Sequence, residues 1–320
     1  MINMRKLLAL LLLLLLLSAM PAQAFWVWTP ETNKWVNPKY AVKETPQEQL
    51  EYALDFFEME DYAKSTRELQ KLIRHYPKAR EAADAQYYIA LGLEKQEKYH
   101  KSFKEYQLAI QKYPFSERTA QIIENEYNIA LAILDGREKR NKFIKTVVGG
   151  DYDVIEIFRA VIKNEPYGKY AAPAQYKIGL YLLEKQLFQE ARDEFEKTMN
   201  DYPDSEWAQA ARYRIALADS KRSADAAYNQ KVTAAAIDEF EQFVRDNPGA
   251  ELSGEAKSHI RTLREKEAEN SFLVADFYEK QKKYKSARIY YSVIVDDYKD
   301  TSWASKSLER IRVLNELIEE

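Results

Sequence analysis

The chain has 320 residues, 46% hydrophobic and 31% charged, and 48 Lys and Arg against 51 Asp and Glu leave a net charge of −3. That balance excludes a strongly basic nucleic-acid-binding face, and eight glycines with ten prolines leave little room for a turn-dense β fold. With no cysteine, the chain can form neither a disulfide nor a zinc–thiolate site and holds no thiol nucleophile. Residues 1–24 read as a secretory signal. Arg5 and Lys6 are its positive start, residues 7–17 its apolar run, and Ala22-Gln23-Ala24 an A-x-A cleavage site. The apolar run is shorter than the ~20 residues that cross a bilayer, so cleavage before Phe25 is expected, with an uncleaved anchor as the alternative. The address is a bacterial periplasm, where a cysteine-free chain is at ease.

Residues 25–45 hold three of the five tryptophans, Trp26, Trp28 and Trp35, on either side of Pro30-Glu31-Thr32-Asn33. Apolar residues flanking such a turn predict a small hairpin. The segment either folds back over the first helical unit, docks on a sheet edge or a membrane interface, or stays disordered.

From residue 46 onward the chain repeats itself. Pro77, Pro114, Pro166, Pro203 and Pro248 close similar stretches at intervals of 37, 52, 37 and 45 residues. Counted from Pro46, small residues fall at positions 8 and 20 (Ala53, Ser65), large ones at 11, 17 and 24 (Phe56, Tyr62, Leu69), and proline at 32. Counting from Ala83, Ala172 and Ala268 gives Ala90/Ser102, Gly179/Ala191 and Ala275/Ala287 at the small sites. Two antiparallel helices approach most closely there, and a larger residue would overpack the contact. This pattern resembles the tetratricopeptide repeat (TPR). The predicted fold is all-α, a TPR solenoid of about six helix pairs with a C-terminal capping helix. Repeats are placed at 46–79, 83–116, 120–168, 172–205, 209–250 and 268–301, and the cap at 302–318. The long intervals locate insertions at residues 136–150 and 220–231. Unbroken helical periodicity over 253–282 predicts one long helix serving two repeats.

Tyr87, Tyr127, Tyr176 and Tyr213 each stand three residues before a small position 8. They either form an aromatic ladder in a binding groove or pack between helices. The first insertion is locally basic, with Arg137, Lys139 and Arg140 able to meet an acidic partner or anionic lipid, or simply to be solvated. Glutamates spaced three and four residues from lysines read as solvated helix faces. His75, His100 and His259 lack metal-ligand spacing, and no phosphate-binding loop or nucleophile elbow occurs. No catalytic residue, metal or cofactor is expected.

Leu263-Arg264-Glu265-Lys266-Glu267, Val274-Ala275-Asp276-Phe277-Tyr278, Tyr284-Lys285-Ser286-Ala287-Arg288 and Val295-Asp296-Asp297-Tyr298-Lys299-Asp300-Thr301 are similar to the end of the BamD/YfiO family. Asp61-Tyr62-Ala63-Lys64-Ser65 and His75-Tyr76-Pro77 add a more generic likeness, so that the resemblance spans residues 45–315. It implies a non-enzymatic periplasmic scaffold of the outer-membrane β-barrel assembly machinery. Its partners would be proteins, a barrel-assembly outer-membrane protein or unfolded outer-membrane segments, and not nucleic acid. Three departures accompany it: no cysteine for a lipid anchor, Lys299 in place of the closing proline, and six repeats where the family has five. Membrane association is then indirect, or made through the N-terminal aromatic segment. The alternatives are another TPR adaptor of cell-wall or envelope-maintenance complexes, or the accessory domain of an enzyme.

Overall fold

Thirteen helices run through the described residues of the computed structural model, which are 26–29, 34–37, 41–136, 154–225 and 230–319. They are α1 (Pro46–Glu58), α2 (Tyr62–His75), α3 (Arg80–Lys95), α4 (Tyr99–Lys112), α5 (Thr119–Leu134), α6 (Val154–Asn164) and α7 (Ala171–Glu184). Then follow α8 (Phe188–Asp201), α9 (Glu206–Asp225), α10 (Gln230–Asp246), α11 (Glu251–Lys280), α12 (Tyr284–Asp297) and α13 (Ser302–Glu319). Two three-residue strands precede them, β1 (Val27–Thr29) and β2 (Lys34–Val36), antiparallel with Trp28 opposite Trp35. From α1/α2 to α11/α12 the helices form six successive pairs, with α13 left over. The all-α solenoid expected from the repeats is the fold of the chain.

The chain divides into two compact units, residues 1–96 with 104–116, and residues 97–103 with 117–320. In the first, Leu50 and Ala53 of α1 meet Leu69 and Leu72 of α2 and Ala82, Ala85 and Ile89 of α3. The second includes two such clusters among its described residues. Tyr213, Ala216, Ala236, Phe240, Phe243, Ala256 and Leu263 make one, and Ala268, Ala275, Ala287, Tyr291, Ile294 and Leu314 the other.

The small residues at positions 8 and 20 are all buried where they were described, Ala53, Ser65, Ala90, Ser102, Ala191, Ala275 and Ala287 among them. Gly179 shows why. A methyl group built there would lie 2.6 Å from Cε1 of Phe195, inside van der Waals contact.

The turn inside each regular pair has a device that periodicity does not reveal. Glu60, Glu97, Gln186 and Lys282, all at position 15, take left-handed backbone with φ of 56–62°. This geometry lets the amides of Asp61, Leu187 and Lys283 reach back to the carbonyls of Phe56, Leu182 and Tyr278, closing the first helix. None of the four is glycine, so each turn carries strain that the tertiary packing must hold.

The second helix of a pair ends in a turn from Tyr76, Tyr113 or Tyr202 to the amide three residues on. Proline follows each tyrosine, as expected. The same bond forms from Thr301 to Tyr298 at 3.0 Å although Lys299 replaces proline. Proline is therefore not what makes the turn.

Of the insertion at 220–231, residues 226–229 lie outside the described residues. The described residues extend the flanking helices, to 20 residues in α9 and 17 in α10. The long helix is present as α11, 30 residues without a break. Of the first insertion, residues 137–153, with Arg137, Lys139 and Arg140, lie outside the described residues.

One polar feature corrects the reading of the glutamates as solvated. Gln49, Gln86 and Gln175 each donate to the carboxylate 19 residues on, Glu68, Glu105 and Glu194, at 3.1, 2.6 and 2.6 Å. Glu68 and Glu194 are buried. Burial pushes the Glu194 carboxyl up, but hydrogen bonds from Lys197 and Gln175 and the charge of Arg159 outweigh it and hold it below its usual range. Its partners make burial of the charge tolerable.

Candidate partner-binding surface

The four tyrosines named above are packing residues. Tyr87, Tyr127, Tyr176 and Tyr213 are between 1 and 9% exposed. Their rings meet the aromatic at position 24 of the paired helix: Tyr106, Phe158, Phe195 and Phe240, at centroid distances of 5.4–5.9 Å. An open ladder is excluded because the second helix already covers the rings. The hydroxyls join neighbours too. Tyr176 accepts from Arg214 Nε at 3.1 Å, and Tyr213 donates to Glu255 at 3.0 Å. Burial first, then the Glu255 carboxylate, pushes the Tyr213 phenol up to about 12.

Trp26, Trp28 and Trp35 are placed differently, at 56, 42 and 62% exposure. Trp28 and Trp35 pack edge to face across the hairpin, 5.7 Å between centroids. Rings this exposed do not plug the first repeat.

An exposed apolar surface arises where the solenoid is irregular. Residues in the first half of α11, Ala256 and Leu263, complete the cluster built on α9 and α10. Residues in its second half, Ala268 and Ala275, found the cluster of the last pair. At 1.5 Å per residue the two sets are offset by about 18 Å along one helix. In a regular repeat, positions 6 and 10 are covered by the preceding repeat: Tyr88 packs on Phe57 at 5.4 Å, and a methyl at Gly92 would touch Phe57 and Tyr62 at ordinary contact distances. The same two positions in the last repeat are Leu273 and Phe277, and they stand 52 and 56% exposed. The offset has left them without a cover.

Their neighbours extend the patch. Phe277 lies edge to face with Tyr278 at 5.8 Å, and Tyr278 stacks on Tyr290 at 5.1 Å with 8° between ring planes. Beside Tyr290 on α12, Ile289 and Val293 are also exposed, as are Leu308, Val313 and Leu317 on α13. Terminal elements of a solenoid usually turn a polar face outward, whereas these helices leave large apolar side chains exposed. Lys280, Lys282, Lys283 and Lys285 are exposed at the adjoining turn, and Lys283 reaches over the Tyr278 ring at 5.9 Å. The surface suits an apolar anchor carrying acidic neighbours.

Beneath it the last repeat is locked by the residues that carried the family resemblance. Arg264 donates to Asp300 through Nε at 3.1 Å and Nη2 at 2.6 Å, and to the Asp297 carbonyl at 2.9 Å. Next to it, Glu265 accepts from the Ser302 amide and hydroxyl at 2.8 and 2.9 Å. Two segments some 35 residues apart thus clamp the turn that Lys299 leaves without proline. Arg310 and the Tyr291 hydroxyl converge on Glu279, fastening α13 to α11.

Arg264 holds the Asp300 carboxyl below its ordinary value. A depressed carboxyl stabilises the fold above its unfolded pKa near 4, and the stabilisation disappears as pH falls through the folded value. Asp300 is half exposed, so the acid-dependent part is under about 1 kcal/mol. Arg264→Ala should cost about 1–2 kcal/mol at neutral pH and flatten the acid limb of a urea-midpoint profile. A variant with the wild-type profile would show the clamp to be inert.

Two family models match stretches of the chain. Residues 84–116 and 173–205 match the tetratricopeptide-repeat family model. The chain is a TPR solenoid. Residues 217–319 match the YfiO model, described as an outer membrane lipoprotein, and this stretch includes the whole clamped C-terminal repeat. Similar solved structures include a TPR protein from Parabacteroides merdae, 13% identical over 85% of this chain and 99% of that one, with a TM-score of 0.36. Another is the C-terminal part of a TPR protein from Cytophaga hutchinsonii, 14% identical over 83% and 88%, with a TM-score of 0.38. YrrB, a TPR protein with an unusual peptide-binding site, is 12% identical over 69% and 94%, with a TM-score of 0.34. No curated protein matches the chain.

Proposed function

We propose that this protein is a non-catalytic periplasmic scaffold, BamD-like, that holds a protein of the outer-membrane barrel-assembly type against its last repeat. The TPR fold supports a protein-interaction role, and the YfiO match at 217–319 supports the envelope address. The observation that carries the reading is the uncovered surface of Leu273, Phe277, Tyr278, Ile289, Tyr290 and Val293 beside four exposed lysines. Burying such a surface supplies affinity, and the lysines select a partner with acidic residues around its anchor. A second reading, a TPR adaptor of cell-wall complexes, uses the same surface for a different partner.

Crosslinking from native envelopes tests both. A photoreactive residue at Ile289 should capture a barrel-assembly outer-membrane protein, and Phe277→Asp should weaken that capture roughly thirtyfold or more, as loss of an aromatic anchor does. Phe277 is exposed, so its melting temperature should stay near wild type. Capture of peptidoglycan enzymes alone would sink the first reading, and undiminished capture by Phe277→Asp would sink the docking surface.

A further inference from the structure

We propose that the N-terminal hairpin is an interfacial membrane anchor, with Trp26, Trp28 and Trp35 seated in the headgroup region of a bilayer containing anionic lipid. This goes beyond the scaffold role and does not depend on the C-terminal surface.

The hairpin presents its aromatic residues on one side. Trp28 and Trp35 are cross-strand partners whose rings touch, and strand alternation puts Trp26, two residues before Trp28, on the same side. All three stay largely exposed. A large ring with an N–H donor is at its best where one end is apolar and the other wet, which is why tryptophan collects at membrane interfaces.

Charge and chain order point to the same occupant. Between residues 26 and 44 the sequence carries Lys34, Lys39 and Lys43 against Glu31 and Glu44, a basic balance in a chain of net charge −3. The apolar run at 7–17, read as an export signal, lies a few residues before the hairpin, which would bring the hairpin close to a membrane during export. A short aromatic face plus basic residues makes a two-signal attachment of the kind that holds peripheral proteins to anionic lipid.

Strand addition to a partner's sheet is the weaker use of the hairpin, because edges of three residues offer few backbone hydrogen bonds.

The processed full-length chain should co-float with phosphatidylcholine vesicles that contain phosphatidylglycerol, and less with phosphatidylcholine alone. Brominated lipid should quench its tryptophan emission. W26A/W28A/W35A should lose vesicle partitioning by at least about tenfold, since it removes the three exposed rings of the hairpin. Its remaining emission, from Trp207 and Trp303, should not be quenched, and its helical circular dichroism and melting should match wild type. Flotation of the triple variant equal to wild type would overturn the proposal. So would wild-type flotation without bromolipid quenching, or no flotation with either lipid. Binding that appears only when an outer-membrane barrel protein is reconstituted in the vesicles would likewise overturn it, assigning the hairpin to a protein contact.

Discussion

Glu269→Pro should uncouple the last repeat from the rest of its unit, costing about 3 kcal/mol or more. Glu269 is exposed in the middle of α11, between Leu263, which completes one core cluster, and Ala275, which belongs to the next. Proline there removes the amide that bonds the Glu265 carbonyl and sets its ring against the same oxygen. It also forces Ala268 away from helical backbone. The damage falls on the one element shared by the two clusters, and solenoid stability is a sum of repeat and nearest-neighbour contributions. Trp303, packed on Phe272 at 4.9 Å, reports the last repeat, and Trp207, against Tyr176 at 5.1 Å, reports the middle of the same unit. In urea the wild type should lose both signals together. In Glu269→Pro the Trp303 signal should change first, while Glu269→Ala stays within about 0.5 kcal/mol of wild type. A proline variant with coincident, undisplaced transitions would show that α11 does not couple the repeats.

Alanine at two helical glycines should have opposite effects. At Gly179 the added methyl meets three ring atoms of Phe195 at 2.6–2.9 Å. That ring is fully buried and held by Tyr176 on another side, so it cannot swing away. Overpacking of this kind costs about 1–3 kcal/mol, more than the ~1 kcal/mol that alanine gains over glycine in a helix. At Gly92 the nearest atoms, in Phe57 and Tyr62, lie at 3.4 and 3.5 Å. Nothing must move there, and Gly92→Ala should stabilise by about 0.5–1 kcal/mol. Chemical denaturation of both single variants decides the matter. Gly179→Ala as stable as wild type would mean that the position-8 contact is looser than the ring geometry requires. Phe195→Leu should soften the Gly179→Ala penalty, a non-additivity expected only of residues in contact.

Much of the architecture is legible in the sequence because the repeat is local. Small residues at positions 8 and 20 and an aromatic at 17 determine where helices pair, whatever surrounds them. The length of α11 follows from helical periodicity in the same way, since neither proline nor glycine interrupts it after Gly254. The same local logic left open whether the tyrosines at position 5 line a groove or pack between helices. Periodicity shows that Tyr87, Tyr127, Tyr176 and Tyr213 share a register, but not that an aromatic at position 24 would cover each ring.

Other features exist only once distant segments meet. The glutamine–glutamate pairs join residues 19 apart across two helices, and the Arg264–Asp300 clamp joins residues 36 apart. The four left-handed turn residues carry no glycine to announce them. The uncovered surface at Leu273 and Phe277 depends on how far one repeat slides along α11 relative to the one before it, which no composition or spacing encodes. By itself, then, the sequence determined the repeat, its count and its long shared helix, because each is set by contacts between neighbours in the chain. Tertiary structure alone decided which apolar residues stayed outside, because exposure is fixed by whatever fails to pack on a face.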